Sequence, residues 1–185
     1  SKDLANYEVY VNLGILNYYR KRYTLATEYL QKAIIIRPKE GNIYNTQALI
    51  DIAQDDLSAA QKSIDQALRI DPDNAFYRNN RGYIYLLKND LPHALEDIDY
   101  SITADPYNSW AYRNKGIYFL KTGDAPSAVR VLSQAVMLDP LVEKGYFFLA
   151  EAYSKTGDLG KACEAWKESM KREDDVENLN KSYCK

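Results

Sequence analysis

The 185-residue chain predicts an all-α solenoid: a single array over residues 1–185 of five helix–turn–helix repeats and a C-terminal cap helix. Three observations carry that reading. First, Pro38, Pro72, Pro106 and Pro140 are each 34 residues apart, and Pro92 and Pro126 are also 34 apart. A frame drawn on the first series runs 7–40, 41–74, 75–108, 109–142 and 143–176, leaving 177–185 for the cap helix. Second, the eighth place of the frame is always small (Gly14, Ala48, Gly82, Gly116, Ala150), and the twentieth is always alanine (Ala26, Ala60, Ala94, Ala128, Ala162). Third, no alternating strand pattern interrupts the series. A fixed period of this length marks units that each bury an apolar face on their neighbours.

The elements follow from the places. The first helix of each unit carries the small eighth place. In the second helix, places 20, 24 and 27 lie on one face, because they are four and three residues apart. Place 24 is Leu30, Ile64, Ile98, Leu132 and Trp166. Small residues across a helix pair permit approach at the short end of the ~8–10 Å range, with Gly116 and Ala128 the expected pair in unit four. Asp56, Asp90, Asp124 and Asp158 stand where a carboxylate caps the second helix. Pro92 and Pro126 follow in its first turn, where proline removes no helical hydrogen bond. The second helix ends before the proline of the first series, since the preceding residue is pushed out of the helical region. The count is eleven helices of about 13 residues. The last is the cap, with Val176, Leu179 and Tyr183 on one face and Glu177, Asn178, Asn180 and Lys181 on the other. At the other end, Val11, Ile15, Tyr18 and Tyr19 make the first helix apolar. These residues pack within the array or onto residues 1–6, or they form a dimer contact or meet a preceding segment.

Composition narrows the function. Lys and Arg number 24 against 26 Asp and Glu, so the basic excess of a nucleic-acid binder is missing. No run approaches the ~20 apolar residues of a membrane span. The start SKDLANYEVY lacks a signal-peptide layout. One histidine and two cysteines are too few for a Cys/His zinc site, and no GxxxxGK[ST] phosphate loop occurs. His93 falls on an exposed first turn with no nucleophile and acid converging on it. Asp55–Asp56 and Asp174–Asp175 read as solvated charge on turns and helix ends. The expectation is a protein without catalysis, metal or cofactor.

Residues 77–106 and 112–140 carry an aromatic, small, aromatic, alanine and proline spacing that resembles the tetratricopeptide repeat family. The chain departs from the pattern at Asn17 and Asp51, which replace an aromatic, and at Asp174, which replaces proline. The resemblance implies a right-handed superhelix whose first helices line a concave groove through places 2, 5, 6, 9, 12 and 13. Carried across place by place, it implies a peptide-binding set of Asn12, Asn45, Phe76, Asn79, Asn80, Tyr83, Trp110, Arg113, Asn114 and Lys144. The sixth place offers an amide in three units (Asn12, Asn80, Asn114), similar to the asparagine ladder with which some members hold peptide backbone. Asn80 and Asn114 would then face solvent; the alternative is an amide bonded to a neighbouring helix. Phe76, Tyr83, Trp110, Phe147 and Phe148 are anchors beside the amides, or core between repeats. The family's clamp for a chaperone C-terminus needs cations where Asn45, Leu49, Asn80, Trp110 and Asn114 stand, so the expected ligand is an internal or neutral peptide segment. The implied function is a non-enzymatic protein–protein scaffold. The alternative is an assembly subunit associating through its end faces, including a homodimer through the N-terminal helix.

Cys163 and Cys184 complete the expectations. Cys163 is at place 21 of unit five, and Cys184 at place 8 of an incomplete sixth frame, so the thiols should meet between helix 160–172 and the cap. They form a disulfide, pointing to an extracytoplasmic location, or remain reduced core thiols of a cytoplasmic protein.

Overall fold

In a computed structural model, the structure describes residues 2–172 and 184. Among the described residues there are ten helices and no strand: α1 (Lys2–Tyr19), α2 (Tyr23–Ile36), α3 (Gly41–Ala53), α4 (Leu57–Ile70), α5 (Ala75–Leu87), α6 (Leu91–Ala104), α7 (Ser109–Thr122), α8 (Ala125–Leu138), α9 (Gly145–Thr156) and α10 (Leu159–Lys171). The expected eleventh helix, the cap at 177–185, lies outside the described residues apart from Cys184. α1 is longer than the frame requires; no Pro or Gly punctuates its start, and helix runs back to Lys2.

The helices form two compact units, Ser1–Lys88 and Asn89–Lys185, which divide between α5 and α6 inside the third frame. In the first, α1 packs on α2, α3 on α4, α4 on α5, and α3 lies beside both α1 and α5. In the second, α7 packs on α6 and α8, α9 on α8 and α10, and α7 touches α9.

One turn design closes each helix pair. Place 15 is left-handed in every unit: Lys21, Asp55 and Asn89 have φ of 58°, 62° and 60°, and Gly123 and Gly157 have 84° and 85°. In four units the next N–H returns to the carbonyl five residues back (Arg22 to Asn17, Asp56 to Asp51, Asp124 to Phe119, Asp158 to Tyr153), the closing bond of a Schellman motif. Asp56, Asp124 and Asp158 then accept from the backbone N–H groups of Ala59, Ser127 and Lys161. Asp90 departs from the expectation. It makes no cap bond from its side chain, which instead meets His93 Nδ1 at 2.8 Å.

The core is built from the periodic places. Ala26, Ala60, Ala94, Ala128 and Ala162 are fully buried, as are Leu30, Ile64, Ile98 and Leu132. The small eighth place is tightest against place 24: a Cβ on Gly14 would meet Leu30 Cδ2 at 2.6 Å, with the Ala26 carbonyl oxygen at 3.5 Å, and one on Gly116 would collide with Leu132. At Gly116 the tightest neighbour is thus Leu132 rather than Ala128. A wide branched side chain, rather than the alanine, fills the gap left by the missing methyl.

The two departures at place 11 are buried polar groups with partners. Asp51 accepts from Gln47 Nε2 at 2.7 Å and from Ser63 Oγ of α4 at 2.8 Å. Asn17 donates to the carbonyl of Leu13 at 2.7 Å. Polar bonds thus replace the ring that other units place there. Val11 is also buried, packed with Tyr7, Leu30 and Ile43, and so is not available to an end-face contact.

Cys163 of α10 is bonded to Cys184, with Cα atoms 5.2 Å apart, and Cys184 packs against the core of the second unit.

Candidate functional site

In the first unit the candidate face lies on α3 and α5. Asn45 sits in the middle of α3 and Asn80 in the middle of α5, 35 residues later, so the places that meet are the fifth of one repeat and the sixth of the next. Asn80 Nδ2 donates to Asn45 Oδ1 at 2.7 Å. Among the described residues nothing further engages the Asn45 amide N–H groups or the Asn80 carbonyl oxygen. A second cross-repeat bond runs beside it: the Tyr7 hydroxyl donates to Asn42 Oδ1 at 3.2 Å, again across 35 residues. Burial pushes the Tyr7 hydroxyl above its ordinary pKa, outweighing the opposite pull of the Asn42 bond, so it remains a neutral donor. Thr46 turns back to the carbonyl of Asn42 and is buried, which breaks the amide row at α3.

Around the pair, Asn12 on α1 is exposed, Phe76 in the first turn of α5 is 58 % exposed, and Tyr83 is half-buried. Asn79 is buried and lies off this surface.

In the second unit the same two places hold different chemistry. The Arg113 guanidinium lies 5.0 Å from the Trp110 ring centre and 5.8 Å from that of Phe148. The Phe148 ring stands edge-on to Phe147 at 5.1 Å. Trp110 is 39 % exposed and covers an arginine that is itself buried. Cation–π packing of this kind holds α7 against α9, with the indole still partly exposed.

Besides Asn79, three expectations are corrected here. Asn114 does not face solvent; it is 1 % exposed, packed in the interior beside the α7 core residues Gly116 and Ile117. Arg113 is likewise interior, because two aromatic faces hold it. Lys144 is not on the first helix of unit five at all. α9 starts at Gly145, and Lys144 is its N-cap in a left-handed conformation, φ 55°. The cause is local: Asn74 and Asn108 cap α5 and α7, but the equivalent residue is Val142, which cannot cap and buries itself in the core.

Sequence reasoning did not single out the outer face of α9 and α10. It carries an open groove of about 820 Å³ lined by Tyr146, Leu149, Tyr153, Lys161, Met170 and neighbours. Its lining comes from places outside the concave set, so the frame offered no signal for it. His93 is exposed with Asp90 as its neighbour. Among the described residues there is no cluster of His, Cys, Asp and Glu able to hold a metal, and no helix long and apolar enough to cross a membrane.

Family models for the tetratricopeptide repeat match residues 7–40, 45–109 and 113–175. The chain belongs to the tetratricopeptide repeat family. The matched segments take in α5 and most of α7, with Asn45, Asn80, Arg113 and Asn114. No curated protein matches the chain significantly. Solved structures do. PilW, a widely conserved type IV pilus biogenesis factor, is 26 % identical with a TM-score of 0.78 over 96 % of this chain and 80 % of its own. PilF of Pseudomonas aeruginosa is 18 % identical, TM-score 0.77, over 99 % of this chain and 82 % of its own. A thermophilic tetratricopeptide repeat protein of Thermus thermophilus is 18 % identical, TM-score 0.81, over 96 % of both. These likenesses show the fold. Tetratricopeptide repeat proteins are protein-interaction scaffolds, and this chain has that scaffold.

Proposed function

We propose that this tetratricopeptide repeat chain is a non-enzymatic scaffold that holds an extended segment of a partner protein on the faces of its first helices. The observation that carries the reading is the Asn80–Asn45 hydrogen bond. It orients both amides and leaves a donor on Asn45 and an acceptor on Asn80, the complement of one peptide group. Asn12 and Phe76 extend the contact on either side. The role needs no cofactor and no reacting side chain. Affinity capture followed by mass spectrometry, with the chain and with Asn45→Ala/Asn80→Ala, tests it. The partner is expected to be lost from the double variant while its melting temperature stays within a few degrees. Equal capture by both proteins sinks the dyad.

A second reading, association through the N-terminal helix, is favoured by one observation. Val9, Leu16 and Tyr19 on α1 are 51 %, 43 % and 76 % exposed and are spaced by seven and three residues, on one stripe. Sedimentation of the chain and of Leu16→Glu distinguishes it: a dimer that dissociates in the variant supports the end-face contact, and a monomer in both removes it.

A further inference from the structure

We infer that the segment held on the first unit is uncharged, with apolar side chains flanking the peptide group that the asparagine pair grips. The inference rests on the peptide-holding reading of Asn45 and Asn80 and adds the chemistry of what they hold.

The wall around the pair is nearly free of charge. α3 lies beside α1 and α5, and among the side chains at the six groove places of these three helices only Glu8 is ionised at neutral pH. The ionic groups of α3 and α5 are turned elsewhere. Asp51 is buried and bonded to Gln47 and to Ser63 of α4. Arg81 reaches Asp65 of α4 at 3.9 Å, Arg78 Nε donates to the carbonyl of Pro72, and Lys88 reaches Gln61 of α4. What remains on the stripe of α5 is Phe76, Asn80, Tyr83 and Leu87, spaced four, three and four residues apart, with Phe76 and Leu87 58 % and 39 % exposed. A charged side chain pressed onto the wall of α3 and α5 would lose its water and meet no opposite charge, which is costly; the one ionised groove-place group of these helices, Glu8, stands on α1. An apolar one covers Phe76 or Leu87 and gains from the area removed from water. The amide pair supplies the hydrogen bonds that such a segment's backbone would otherwise forfeit on leaving water. Charge complementarity here means the absence of charge on both sides, so binding should change by less than about twofold between roughly 0.05 and 0.5 M salt.

The test is panning of a random nonapeptide phage library on the immobilised full chain, on Asn45→Ala/Asn80→Ala, and on Met137→Ala, an exposed side chain of α8, as a control in the second unit. The expected result is enrichment of peptides depleted in Asp, Glu, Lys and Arg, lost on the double variant, kept on Met137→Ala, and insensitive to salt. Enriched peptides that are acidic or basic yet lost on the double variant overturn the uncharged ligand and leave the asparagine pair standing. Uncharged peptides that bind the double variant equally well overturn the pair as their site, and the inference with it. No enrichment on the parent chain overturns both.

Discussion

Gly116 lies directly against the side chain of Leu132, so that a single added methyl on α7 has no room beside α8. The small residue at place 8 is required because a branched residue at place 24 reaches across the helix pair, as Leu30 also does to Gly14.

Gly116→Ala is therefore expected to overpack this contact and lower stability by about 1–3 kcal/mol, read as a fall in the urea midpoint. Leu132→Ala should open a cavity and cost about 2–5 kcal/mol on its own. Combined, the two should cost less than their sum, since the new methyl fills part of the cavity. Strict additivity would show that the two residues do not share the contact.

The left-handed turn at place 15 gives a second expectation. Lys21 adopts φ 58°, whereas Gly123, at the same place of unit four, adopts 84° with open space around its α-carbon. Lys21→Gly should raise the melting temperature through relief of up to about 1 kcal/mol of backbone strain, and Gly123→Lys should lower it by a similar amount. Opposite signs are the decisive readout; two destabilised variants would remove the strain argument.

Acid should weaken two helix starts and the end of α10. Hydrogen bonds from Ser127 hold the Asp124 carboxyl below its ordinary value, hydrogen bonds from Lys161 do the same for Asp158, and Lys171 and Arg172 do so for Glu168. A depressed folded-state value means that the unfolded chain binds protons first as pH falls. These groups thus contribute fully above the unfolded carboxylate range of about 4, and the contribution is lost as pH drops through their lower folded values. Asn caps a helix without titrating. Asp124→Asn/Asp158→Asn should match the parent at pH 7 and show a shallower loss of melting temperature in acid. Identical slopes would assign the acid sensitivity to other groups.

The Cys163–Cys184 bond closes a loop across a sequence separation of 21 residues. Cys163→Ser/Cys184→Ser should lower stability by about 3 kcal/mol on loop-closure grounds. Thiol titration of the denatured, unreduced chain should find no free thiol; two free thiols would contradict the bond.

Much of the fold is readable from residue types alone, because its causes are local. Proline ends a helix by steric exclusion, aspartate caps one through its own oxygen, and alanine at a fixed interval marks where helices touch. These effects act within a turn or two of chain, so α2 to α10 start and stop close to where the prolines, aspartates and glycines put them. Local chemistry also explains the exceptions once seen, as when Val142 replaces a capping asparagine and α9 begins late.

The exposure of the candidate site was decided only by packing across 35 residues. Asn45 and Arg113 occupy the same place of their repeats, yet Asn45 meets the amide of Asn80 while Arg113 is enclosed by Trp110 and Phe148. Asn80 and Asn114 likewise share a place, and one is half-buried and the other interior. Whether an amide faces a ligand or the core depends on which side chain the next repeat sets against it. That neighbour is brought there by the burial of alanine, leucine and isoleucine between helices, a cooperative effect of the whole stack that no single repeat specifies.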